Sequence, residues 1–216
     1  VKELYSNGDI YYEVLEEKKG IEYALNHGLE KILQLDYKYI ARLDTGDICH
    51  KDRFRIQLNY LNSNPDIKLL GTQVNFVSKK GEILYISNLP NLHQELIKAF
   101  YINCAMIHPT VVFKTEILKT VGLYPTNYEA AEDYGFFFKI IKRFRSENLD
   151  EILLDVIIDQ NGISIQKRRR QIKSKIKIIK HNFYLGFYPL YGIFRNFILL
   201  QIPFKVLLFI KKSLNK

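Results

Sequence analysis

Apolar residues along this chain follow two rhythms. In GIEYALNHGLEKIL, Ile21, Leu25, Leu29 and Ile32 fall three or four apart, the spacing of one helix face, with Gly28 as the weak point. From Lys38 to Leu43 the rhythm becomes strict alternation, Tyr39, Ala41 and Leu43 against Lys38, Ile40 and Arg42, which predicts a strand. KDRFRIQLNYLNSNP returns to helical spacing, with Phe54, Leu58 and Leu61 on one face and a stop at Asn64-Pro65. IKLLGTQVNFV and EILYIS predict strands on either side of the turn SKKG. Next come a helix over about 92–102, a strand TVVF at 110–113 and a helix KTEILKTV stopped by Gly122. A helix in AAEDYGFFFKIIKRF and a last strand LDEILLDVII complete the pattern, with Phe136, Phe137 and Phe138 as core. Strands alternating with helices predict an α/β layer fold.

Composition narrows this picture. With 216 residues and 47% apolar content, the chain has enough material for one domain and an appendage. Cys49 and Cys104 stand far apart, in no metal or redox spacing, which suits packing roles in a reduced, cytosolic protein. No signal peptide pattern opens the chain, which starts on Val1. The net charge of +9 is unevenly spread. Residues 167–216 hold 13 Lys and Arg and no acidic residue, which leaves 19 of the 32 basic residues in the body against all 23 acidic ones. The body is mildly acidic, and the basic end reads as an interaction tail for nucleic acid or an anionic membrane.

The predicted strand at 38–43 ends on DTGD, Asp44 to Asp47. One reading makes Asp47 a cap for the helix that follows. A calcium loop is excluded, because Gly46, Ile48 and Arg55 fall where an EF-hand starting at Asp44 needs oxygen ligands. The other reading places Mg²⁺ or Mn²⁺ at the carboxyl edge of the sheet, where open α/β folds bind ligands. Such hard cations take a few carboxylates and share the rest of their shell with phosphate and water. His50, beyond the first turn of the next helix, is a poor third ligand.

The stretch from Gly20 to Thr72 resembles glycosyltransferase family 2, the inverting group with the GT-A fold. Asn26, Gly28, Leu29, Tyr39, Ile40, Ala41, Arg42, Asp44, Asp47, Arg53, Gln57, Asn64, Pro65 and Gly71 fall on its pattern. HPTVVFKTEILKTVGLY is similar to the family's H-P-S-V segment, and AAEDYGFFFKI to its acidic helix start. Three motifs in order are far more specific than any one. The sequence departs from the family at Gly46, where the D-x-D metal motif has its second aspartate, and at Lys51, where proline is common. Nothing in residues 1–25 matches the family's leading nucleotide-binding segment, so the resemblance implies an N-terminally truncated, GT-A-like mixed sheet flanked by helices.

What the resemblance implies follows the two demands of sugar transfer. A cation held by Asp44 and Asp47 offsets charge on the departing nucleoside diphosphate. Asp133 is the base that takes the acceptor proton, with Glu132 beside it supporting the helix or the acceptor. Asn26, Arg42 and Asp44 are donor-side contacts, and His108 meets the acceptor or a phosphate unless it is a satisfied structural histidine. The expected partners are a nucleotide-sugar donor and a saccharide or lipid-linked acceptor, in bacterial surface polysaccharide or lipooligosaccharide synthesis. The alternative is a truncated, inactive remnant or a non-catalytic binding module.

The division expected is residues 1–160 as the glycosyltransferase portion and 161–216 as a basic tail. QKRRRQIKSKIKIIK runs into a strongly apolar segment and not into an RNA-reading motif, which argues against nucleic acid. Residues 183–210 carry only Arg195 and Lys205 as charges, but Pro189, Arg195 and Pro203 interrupt each window of about 20 residues that a span needs. The pattern fits an amphipathic segment on an anionic membrane surface, peripheral to the inner face of the cytoplasmic membrane, or else a helix packed back on the domain.

Overall fold

A computed structural model describes residues 8–158 and 166–202. Among the described residues six strands form one mixed sheet: β1 (Tyr39–Ala41), β2 (Ile48–Cys49), β3 (Ile67–Val77), β4 (Ile83–Ile86), β5 (Val112–Lys114) and β6 (Arg145–Ile157). Their order is β1-β5-β3-β6-β2, and β4 pairs with the far end of β3. The long central strands β3 and β6 run parallel, Ile67 opposite Arg145 through to Val77 opposite Ile157. Every other pairing is antiparallel.

Alternation sends side chains from the central strands into two cores. Leu69, Val111 and Phe113 enter the larger one with α3 (His93–Phe100) and α5 (Glu132–Ile141), while Leu70 and Val112 face the smaller one under α2 (Arg53–Ser63). The run Phe136, Phe137 and Phe138 is fully buried, as the sequence predicts for core. Each large side chain so buried contributes about 1.5–3 kcal/mol relative to exposure. The predicted helix near 20–33 is α1 (Ile21–Leu33), and Gly122 ends the short α4 (Leu118–Val121) in a left-handed conformation.

Two expectations are corrected here. The face that α2 buries is Arg53, Gln57 and Leu61, and Phe54 lies out in solvent. Hydrophobic spacing missed this because the helix points its polar side chains inward at backbone carbonyls. The first half of the basic tail is a structural helix, α6 (Arg168–His181), which buries Ile172, Ile176, Ile178 and Ile179 against the domain. Its charged residues lie between these apolar positions, so composition alone hid the buried stripe. The expected domain boundary at 160/161 falls in 159–165, outside the described residues, as does the part of the apolar segment beyond residue 202.

The chain continues from α6 into α7 (Phe187–Gln201), which buries Pro189, Gly192 and Asn196. Gly192 is required by close approach: a Cβ there would lie 1.8 Å from the Tyr101 carbonyl oxygen. Arg168 donates to the carbonyls of Leu199 (2.5 Å) and Ile202 (3.1 Å), satisfying the end of α7 with a charge suited to it. No described helix is long and apolar enough to cross a membrane.

Candidate active site

The acidic turn is held from below by a fully buried arginine. Arg53 donates from Nη2 to the Arg42 carbonyl (2.8 Å) and from Nε to Gln57 Oε1 (3.0 Å). Gln57 in turn donates to the carbonyls of Thr110 (2.9 Å) and Leu70 (3.3 Å). This pair ties the exit of β1 to β3 and to the segment entering β5. A charge costs heavily to bury unless it is paired or hydrogen-bonded, so the arrangement fixes the backbone from which Asp44 projects. Sequence reading placed Arg53 and Gln57 in the motif without finding this role, because their partners lie on three other segments.

Within the turn, Gly46 has φ 99°, a region that strains any residue with a Cβ. The glycine that stands in place of an aspartate is therefore demanded by the backbone. Asp47 does not cap α2, whose N-cap is Asp52. Its Oδ1 accepts from the Ile157 N–H (3.2 Å), pinning the turn to the end of β6. Its carboxyl pKa is raised, first by burial and then by the nearby Asp44 charge, with the Ile157 bond opposing. The unpredicted β2 follows at once, Ile48 opposite Asp155, and His50 turns to Asp155 Oδ1 (3.1 Å) and away from the acidic pair.

Arg42 forms an ion pair with Asp44 and donates from Nε to His108 Nε2 (3.2 Å). Because arginine can only donate, Nε2 is the bare nitrogen of His108 and Nδ1 carries the proton. The Tyr124 hydroxyl lies 2.9 Å from the same nitrogen. Burial, reinforced by Arg42, depresses the His108 pKa to about 3, so the ring is neutral at physiological pH. The imidazole is thus a satisfied, buried group that orients Arg42. Asn26 makes a two-way pair with one residue: it donates to the Tyr124 carbonyl (2.9 Å) and accepts from the Tyr124 N–H (2.8 Å). It anchors Tyr124, a residue that motif spacing did not single out.

Glu132 and Asp133 open α5. Asp133 Oδ1 accepts from the Tyr134 N–H (2.7 Å), and its pKa is raised by burial, with the Asp44 charge a smaller contribution in the same direction. Lys175 of α6 opposes that rise. Glu132 is buried with Oε2 lacking any hydrogen-bond partner, and burial followed by the Asp133 charge lifts its carboxyl to about 7. Asp44 is thus felt electrostatically at Asp47, Tyr124 and Asp133, on three separate segments. Asn26 and His108 reach the same region through Tyr124, while the charges felt at Glu132 are those of Asp133 first and then, more weakly, of Glu22 and Lys167.

No cluster of three or more potential metal ligands occurs among the described residues. The donor set that exists is two carboxylates, and no hydrogen bond among the described residues engages Oδ2 of Asp44 or of Asp47. Two hard oxygen groups suit a cation that draws the rest of its shell from phosphates and water.

No family model matches the chain. An uncharacterized glycosyltransferase of Haemophilus influenzae is 30% identical over 174 residues, covering 80% of this chain and 63% of the relative. The UDP-Gal:alpha-D-GlcNAc-diphosphoundecaprenol beta-1,3-galactosyltransferase of Escherichia coli is 29% identical over 181 residues, covering 82% and 63%. Among solved structures, S. aureus TarS 1–349 superposes with a TM-score of 0.55 at 15% identity, covering 85% of this chain and 52% of that one. The mannosyltransferase PcManGT of Pyrobaculum calidifontis, solved with GDP-Man and Mn²⁺, gives 0.51 at 14%, covering 87% and 51%. The chain spans under two thirds of the length of each relative named here. It is a homologue of the glycosyltransferases, with a GT-A-like fold.

Proposed function

We propose that this chain carries the acceptor and catalytic side of an inverting family 2 glycosyltransferase that builds a bacterial surface polysaccharide or lipooligosaccharide. The observation that carries the reading is the convergence of Arg42 and Asp44 from one motif, His108 from a second and Asp133 from a third at one end of the sheet. In the reaction, Asp133 takes the proton of an acceptor hydroxyl and that oxygen attacks the anomeric carbon. The bond to the nucleoside diphosphate breaks on the opposite side, so the centre inverts. The raised pKa of Asp133 makes it a better base than a solvated carboxylate while leaving it able to ionise. Glu132, buried beside Asp133 at the first turn of α5, supports the helix start that presents this base to the acceptor. Arg42, oriented by His108, faces the donor phosphates, and Asn26 serves that side through Tyr124.

Asp44 and Asp47 would hold Mg²⁺ or Mn²⁺, which would offset the negative charge gathering on the leaving diphosphate. The lipid-linked substrate in the name of the Escherichia coli relative supports a lipid diphosphate acceptor here as well. Residues 1–160 would then carry the chemistry, and within 161–216 the exposed face of α7 would attach to the anionic inner face of the cytoplasmic membrane. Support for attachment comes from α7, where Phe187, Leu190, Tyr191, Phe194, Phe197 and Ile198 are all exposed on one face. The test is a transfer screen of the intact protein with UDP-galactose, UDP-N-acetylglucosamine and GDP-mannose, using a short-chain lipid diphospho-N-acetylglucosamine acceptor with Mn²⁺ or with chelator. Metal-dependent transfer from one donor is expected. No transfer and no donor hydrolysis would favour the inactive or binding-module alternative.

A further inference from the structure

The helix α6 does more than fill the core. Lys167, Arg170, Ser174 and Lys177 follow one another at spacings of three, four and three, so they share a face. That face meets the loop 127–131, the backbone leading directly into Glu132 and Asp133. Lys177 donates to the Asn127 carbonyl (3.4 Å) and lies over the Tyr128 ring, 5.5 Å from its centroid. Ser174 donates to the Glu129 carbonyl (2.9 Å). Arg170 and Lys167 both reach Glu129 Oε1, at 2.6 and 3.4 Å. One residue later, Ala130 holds φ 56°, the sole left-handed residue other than glycine among those described.

A backbone kept in a sparsely populated region persists only when its surroundings over-determine it. Here the surroundings include the polar face of α6, which holds the residues on either side of Ala130. We propose that α6 is a strut that fixes the loop 127–131 and so aims the carboxylate of Asp133, with Ser174 and Arg170 as positioning residues. The inference rests on the assignment of Asp133 as the base. It gives the basic run 167–180 a task inside the molecule, since four of its residues are engaged with one acidic loop.

The test is hydrogen–deuterium exchange of the intact protein and of an Arg170→Ala/Ser174→Ala double variant, with Ser174→Ala alone as the milder form. Losing the serine bond and the main ion pair should speed exchange of the amides of 130–135 by about tenfold while the β3 amides keep their protection. Turnover with the donor found active in the screen should fall with the donor KM unchanged. Unchanged exchange at 130–135, or an equal rise in β3, would overturn the strut. A variant whose loop loosens while turnover holds would overturn the positioning role. Asp133→Asn, run alongside, separates the two levels: near-normal transfer in that variant removes the base assignment and the positioning claim with it, whereas lost transfer with an unaffected Ser174→Ala variant removes the positioning claim alone.

Discussion

At the acidic turn, neither Gly46 nor Asp47 has the role that spacing suggests for it. The motif position that holds Gly46 has a positive φ, and the next aspartate is drawn to Ile157, far along the chain. Local pattern identified the pair Asp44 and Asp47 but offered a helix cap for Asp47, because a bond to a residue 110 positions away leaves no trace in a short window. The same holds for His108, where H-P was legible and the buried bond from Arg42 was not. Glu132 allows a test at this scale. Its carboxyl stands at about 7 in the fold against 4.5 when free, so the native state binds more protons in between and stability falls as pH rises through that window. Glu132→Gln removes this loss, and the variant should gain on the parent by about 2 kcal/mol between about pH 5 and about pH 8. Parallel stability profiles in denaturant titrations would show that Glu132 is not held protonated by burial.

Most elements were legible where one period ran long enough. Alternation found β1, and the turn SKKG between two strand-like stretches marked β3, which is buried on both faces. The two-residue β2 carries no period at all and was missed. In α6 the isoleucines at 172, 176 and 179 have helical spacing, but eight Lys and Arg between 167 and 180 dominated the reading. Gly192 in α7 was equally silent, since its cause is a carbonyl on another segment. Gly192→Ala should therefore push α7 off Tyr101 at a cost of about 1–3 kcal/mol, visible as a lowered melting temperature. An unchanged melting temperature would mean that α7 contributes little to the fold.

Across the described residues, the candidate site lies at one end of the sheet, and α6 and α7 together join that end to an exposed apolar face. Phe187 and Phe194 are 71% and 63% exposed, so changing both to serine should leave the melting temperature nearly untouched. The same pair should weaken co-sedimentation with phosphatidylglycerol vesicles by at least about tenfold, given what two buried aromatic side chains contribute. Equal sedimentation of variant and parent would remove α7 from the membrane role. In the proposed reaction the chemistry rests on Asp133, and the most direct measurement is steady-state transfer by Asp133→Asn in the intact protein, beside its affinity for the nucleoside diphosphate. The account predicts turnover lower by on the order of 10²–10⁴-fold, with nucleotide affinity within about twofold of the parent. Transfer at a near-parental rate by Asp133→Asn would contradict it.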